Sequence, residues 1–145
     1  MDEKQNKALD VRVPESPAVA LFGTDAVLNC SFSGVSEFNL SELSVFWQLS
    51  DTKRAVHSFW QSRDQLSDQE ERFSNRTSLF PDQLPAGNAS LLLRRVANEE
   101  GLFSVRSVLT VILEPSSTYS CRLMHPLLGE EGQASVTISG VSILV

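Results

Sequence analysis

Along most of this chain apolar and polar residues alternate with a period of two, the spacing of strands that bury one face. In the stretch 26–32 the even positions Ala26, Leu28, Cys30 and Phe32 share the inward side, which turns Asn29 to solvent. A second run from Ser44 carries Val45 and Trp47 on one face. Its hairpin partner is predicted over 55–60, with Asp51-Thr52-Lys53 as the turn. The stretch 11–22 alternates too, but Pro14 and Pro17 interrupt it. Proline cannot donate to a ladder, so this reads as an edge strand that kinks from one sheet to another. Further strands are predicted over 72–80, ended by Pro81, over 91–96 with Leu91, Leu93 and Val96 on one face, over 104–113, over 119–124 and over 134–138. The stretches 33–43, 61–71 and 125–133 read as loops, the middle one with room for a short edge strand.

The order Cys30, Trp47, then Tyr119 two residues before Cys121 is that of an immunoglobulin-like antiparallel β-sandwich, in which a tryptophan packs against an inter-sheet disulfide and a tyrosine sits at a strand corner. The fold class is therefore all-β. One element is surplus. After a strand such as 91–96 this pattern calls for Asp-x-Gly-x-Tyr-x-Cys, but the chain reads Glu99-Glu100-Gly101-Leu102-Phe103-Ser104-Val105, with valine where cysteine belongs. The second cysteine arrives only after the additional strand 104–113, so the two cysteines lie 91 positions apart. Domain limits follow: a disordered tail over 1–10, one immunoglobulin-like domain over 11–140, and a stub over 141–145, an apolar run too short to span a bilayer that reads either as the start of a membrane anchor or as the frayed end of the last strand. The first residues are charged with no apolar segment behind them, so no signal peptide is read there.

Charge and chemistry narrow the function classes. With 12 Lys and Arg against 18 Asp and Glu, and only Lys53-Arg54 and Arg94-Arg95 as adjacent basic pairs, the chain lacks the clustered cationic surface of a nucleic-acid binder. The two histidines, His57 and His125, have no metal-ligand spacing to a second His, Cys or carboxylate, and His57 reads as a surface residue of a strand. No nucleophile elbow, phosphate loop or calcium loop occurs, so no catalytic residue, metal or cofactor is expected. The acidic group Asp64, Asp68, Glu70 and Glu71 reads as a solvated loop. Four of the six asparagines begin an Asn-x-Ser/Thr triplet, at Asn29, Asn39, Asn75 and Asn88, which points to a glycosylated, secreted or surface-exposed chain. Asn29 competes with disulfide formation at its neighbour Cys30.

The motifs Gly-Thr-Asp-Ala at 23–26, Cys-Ser-Phe-Ser at 30–33, Trp-Gln-Leu at 47–49, Val-His-Ser-Phe at 56–59, Asn-Arg-Thr-Ser-Leu-Phe-Pro-Asp at 75–82 and Gly-Asn-Ala-Ser-Leu at 87–91 resemble the variable-type domain of the B7 family of immune co-signalling ligands. From Ala97-Asn98-Glu99-Glu100-Gly101-Leu102-Phe103 onward, with Thr-Tyr-Ser-Cys at 118–121 and Ser-Val-Thr-Ile at 135–138, the resemblance moves to the constant-type domain that normally follows. The chain thus reads as a hybrid, variable-type over 11–96 and constant-type over 97–140. The resemblance implies a Cys30–Cys121 disulfide in one sandwich, with 91–96 and 105–113 as a hairpin; the competing picture is a damaged sandwich with two free thiols. It also implies a ligand on the outer face of the plasma membrane, or secreted, that engages a counter-receptor on lymphocytes and modulates T-cell activation and cytokine production. The alternative class is a self-associating adhesion or structural module, a possible homodimer, or a nonfunctional product. Candidate contacts are Phe59 and Trp60 on the hairpin, weighed against plain core, and His125, Leu127 and Leu128 in the loop after Cys121, weighed against folding back over the core.

Overall fold

The computed structural model describes residues 9–21, 23–34, 40–96, 110–113, 117–125 and 130–144. They build two packed β layers. The strands are β1 (Asp10–Arg12), β2 (Ala18–Leu21), β3 (Ala26–Leu28), β4 (Ser31–Ser33), β5 (Ser44–Leu49), β6 (Ala55–Trp60), β7 (Arg63–Asp64), β8 (Thr77–Ser78), β9 (Leu91–Leu93), β10 (Thr110–Leu113), β11 (Ser117–His125) and β12 (Glu130–Leu144). One layer runs β10-β12-β11-β5-β6-β7, with β2 added in parallel along β12; the other is formed by β3-β9-β8 and the β1-β4 pair.

The alternation read in 26–32 is realised: Leu28, Cys30 and Phe32 are buried while Val27, Asn29 and Ser31 are exposed. The kinked edge is realised as well. β1 pairs with β4 in one layer and β2 with β12 in the other, and the segment carrying Pro14 and Pro17 makes the crossing. As the chain enters, Leu9 is buried and its N–H reaches the Glu131 carbonyl at 3.2 Å. The close approach is possible because residue 132 is glycine, where a Cβ would collide with the Leu9 carbonyl oxygen and lie 2.6 Å from Val11 Cγ2.

The core is centred on the staple between the layers. Cys30 and Cys121 form a disulfide with their Cα atoms 6.6 Å apart. Trp47, opposite Cys121 in the β11–β5 register, is fully buried and donates its Nε1–H across the layers to the Ala89 carbonyl at 3.0 Å. A buried indole N–H needs such a partner. Tyr119 is also fully buried and meets Phe73 edge-on, with ring centroids 6.2 Å apart.

Several expectations are corrected. Leu9 and Asp10 belong to the fold and not to a tail, and 141–144 is no stub but the end of β12, paired residue for residue with β10 from Leu113↔Val141 to Thr110↔Leu144. Of the surplus strand, 104–109 lies outside the described residues, and the described part, Thr110–Leu113, does not pair with 91–93. Leu91–Leu93 lies between β3 and β8, and β10 instead prolongs the β11–β12 hairpin, since Leu113 opposes Val141 and Ser117 opposes Ile138. Two apolar runs pair antiparallel there, which satisfies both backbones without a new sheet. The strand expected over 72–80 is a 3-10 turn, Glu71–Phe73, followed by only Thr77–Ser78 as β8. Asn75 explains the break, because its φ of 62° leaves the extended region.

Candidate functional site

On the outer face of the larger sheet the outward side chains follow from strand parity. On β5, Val45, Trp47 and Leu49 point into the core, so Ser44, Phe46 and Gln48 point out and are half-buried. On β11, Tyr119, Cys121 and Leu123 are buried, leaving Arg122 and Met124 outward and half-exposed. Arg122 stands opposite Phe46, and Phe46 opposite Ser58 of β6. Trp60, two residues on, is 38% exposed. Arg122 is 3.8 Å from Glu131 on the flanking strand, an open ion pair. The face thus combines two aromatics and a methionine with a lightly held cation, a composition suited to a protein partner. At its lower end Ser120 is buried under hydroxyl contacts to Ser50 at 2.7 Å and Ser135 at 3.0 Å, a polar patch satisfied internally.

The predicted contact residues divide. Trp60 lies on this face. Phe59 is only 1% exposed, faces the core opposite Val45, and offers no surface. His125 is likewise 1% exposed; its Nε2 lies 3.3 Å from Glu42 Oε2 without hydrogen-bond alignment, tying the end of β11 to the 3-10 turn Leu40–Glu42. Leu127, Leu128 and Asn39 fall outside the described residues. Asn29 and Asn75 are exposed and Asn88 is half-buried. All three attach to the smaller layer, between β3 and β4, ahead of β8 and ahead of β9, so none of the described sequons lies on the outer face of β5, β6 and β11. Phe46, Arg122 and Met124 were missed in the sequence, although their parity against Trp47 and Cys121 was enough to place them outward.

His57 corrects its surface reading. It is 1% exposed, with Nδ1 2.8 Å from Thr77 Oγ1 and Nε2 2.8 Å from Asp64 Oδ1, while Gln69 Nε2–H donates to the same hydroxyl at 2.8 Å and to the Val56 carbonyl at 2.9 Å. Each polar group has a partner, so the cluster is a strut between β6, β7 and β8. Nearby, Arg54 and Arg72 hold the Glu70 carboxylate at 2.8 and 2.9 Å. The hydrogen bond from Arg54, reinforced by Arg72, keeps its pKa below the ordinary value despite opposing desolvation. Among the described residues no three His, Cys, Asp or Glu side chains converge as a metal site, and no helix is long and apolar enough to cross a membrane.

No protein-family model matches the chain. Its structure is similar to the crystal structure of the human B7-H4 IgV-like domain, with a TM-score of 0.70 and 27% identity over 90% of this chain and 95% of that one. It is 39% identical over 74 residues, 51% of its length, to the human V-set domain-containing T-cell activation inhibitor 1. The chain is similar in sequence and structure to members of the B7 family of the immunoglobulin superfamily. It covers only 26% of that human relative. It is also 26% identical to the CD276 antigen homolog of Xenopus laevis, over an alignment of 217 residues that takes in 92% of this chain and 70% of the relative. Since 92% of 145 residues is about 133, about 84 of the 217 aligned positions have no counterpart here.

Proposed function

We propose that this chain is an extracellular, non-catalytic ligand domain that engages a counter-receptor on lymphocytes through the outer face of β5, β6 and β11, and thereby modulates T-cell activation and cytokine output. The observation that carries the reading is the arrangement of Phe46, Trp60 and Met124 around Arg122 on a sheet face free of described sequons. The human relative is by name a T-cell activation inhibitor, which supports the class of partner. The hybrid reading belongs to the same proposal: a variable-type front over 11–96 continues into a constant-type back over 97–140, and the roughly 84 aligned positions without a counterpart in this chain are consistent with it. In that reading β5 and β6 come from the front and β11 and β12 from the back, so half of the docking face is contributed by each.

The test is binding of the purified, glycosylated chain to activated T cells. Trp60→Ser together with Arg122→Ala is expected to weaken binding at least tenfold while the disulfide and the circular dichroism spectrum stay unchanged. Unaltered binding by this variant would overturn the assignment of the face. An absence of cell binding, combined with a concentration-dependent dimer in sedimentation, would favour a self-associating adhesion module.

A further inference from the structure

The sequon Asn29-Cys30-Ser31 contains a disulfide cysteine, which sets carbohydrate transfer against oxidation. The structure removes the steric half of that conflict. Cys30 is 1% exposed and directed at Cys121, whereas Asn29 next to it is exposed on the opposite side of the strand, in the break between β3 and β4. The backbone around Cys30 is fixed from the neighbouring strand without using the Asn29 amide: the Cys30 N–H donates to Ser90 Oγ at 3.0 Å, and the Ala89 N–H donates to the Cys30 carbonyl at 2.8 Å. By contrast, the amide of Asn88 is engaged, its Nδ2 with Gln83 and its Oδ1 with the Ser90 N–H at 3.0 Å. Asn29 opens on a recess of about 440 Å³, in which Val13 and Pro14 supply apolar wall and Arg12, Ser31 and Asn88 supply polar groups. Such a surface is fit to receive the first sugar of an N-linked chain, which has both an apolar and a hydroxylated face.

The kinetic half of the conflict is resolved by distance along the chain. Cys121 lies 91 residues after Cys30. At synthesis rates of about 5–20 residues per second, Asn29 emerges roughly 5–18 s before the partner thiol exists. We infer that Asn29 is an N-glycosylation site that is occupied in the same molecules that carry the Cys30–Cys121 bridge, its first N-acetylglucosamine seated in the Arg12–Pro14 recess. Attachment forms a bond from Asn29 Nδ2 to the anomeric carbon of a lipid-pyrophosphate-linked oligosaccharide; the lipid pyrophosphate departs and one amide proton is released.

The inference rests on the extracellular reading above, because the donor exists only along the secretory route, and Asn75 serves as the internal control. The full chain, secreted from mammalian cells behind a cleavable leader, is deglycosylated enzymatically in heavy-oxygen water and mapped without reduction. The expected result is heavy-oxygen aspartate at position 29 within the disulfide-linked peptide pair that contains Cys30 and Cys121. Ser31→Ala is expected to reduce that label to background and leave label at Asn75 and the disulfide unchanged. Label at Asn75 with none at Asn29, or label at Asn29 confined to peptides with Cys30 as a free thiol, would overturn the inference alone. Absence of label at every sequon would overturn the extracellular reading with it.

Discussion

Replacing both Cys30 and Cys121 with alanine is expected to cost this chain about 4–5 kcal/mol of stability, because the bridge closes a loop of 91 residues and loop entropy in the unfolded state grows with the logarithm of that length. Each lost Sγ adds a small void to the buried cluster that also contains Trp47 and Leu28, so the entropic figure is a lower bound within that model. For a domain whose total stability lies in the usual range of about 5–15 kcal/mol the loss is a large fraction. Urea titration followed by tryptophan fluorescence measures it, since Trp47 is fully buried beside the bridge. With a denaturant slope of about 1–2 kcal/mol/M, the midpoint is expected to fall by roughly 2–5 M. Reducing the wild-type chain should shift its midpoint by nearly the same amount and leave the double variant unmoved. A shift below about 0.5 M in both experiments would refute the idea that the staple carries the sandwich, and would leave packing around Trp47 as the sole source of cohesion.

Two further perturbations probe separate joints. Gly132→Ala places a methyl against the Leu9 carbonyl and Val11, and is expected to destabilise by about 1–3 kcal/mol and to raise amide exchange at Leu9, measured by thermal unfolding and hydrogen exchange. The Glu70 carboxylate, whose pKa Arg54 and Arg72 hold below the ordinary value of 4.5, contributes stability that is present above that value and lost as pH falls through the lowered one. Glu70→Gln is expected to flatten the acid limb of the stability–pH curve below about pH 4.5, by less than about 1 kcal/mol since the pair is near the surface, and an unchanged limb would remove the ion pairs from the account.

What could be read from residues alone was whatever depended on local period. The parity of 26–32, the hairpin around Asp51-Thr52-Lys53 and the proline-marked crossing between β1 and β2 all follow from neighbours in sequence. His57 was misread because parity fails there. The register shifts between Trp47 and Gln48, so Val56 and His57 are both buried, and the partners that make burial of an imidazole tolerable, Asp64 and Thr77, arrive 7 and 20 residues later. The end of β12 was left open between a strand end and a stub for a related reason: its partner β10 lies some thirty residues upstream, and no local signal distinguishes a paired apolar run from a loose one. Of the candidate face, Trp60 was named; parity alone turns Phe46 and Arg122 outward, but that the two are neighbours became legible only once β11 was known to lie beside β5.

Two of the shortest strands terminate the layers. β7 is the pair Arg63–Asp64 at one margin of the larger sheet, and β8 is the pair Thr77–Ser78 at one margin of the smaller. A stray strand from another molecule would find only two rungs to zip onto at either place, one of them guarded by opposite charges, which is too little to seed stacking. Fibre-like growth is thereby discouraged along these borders.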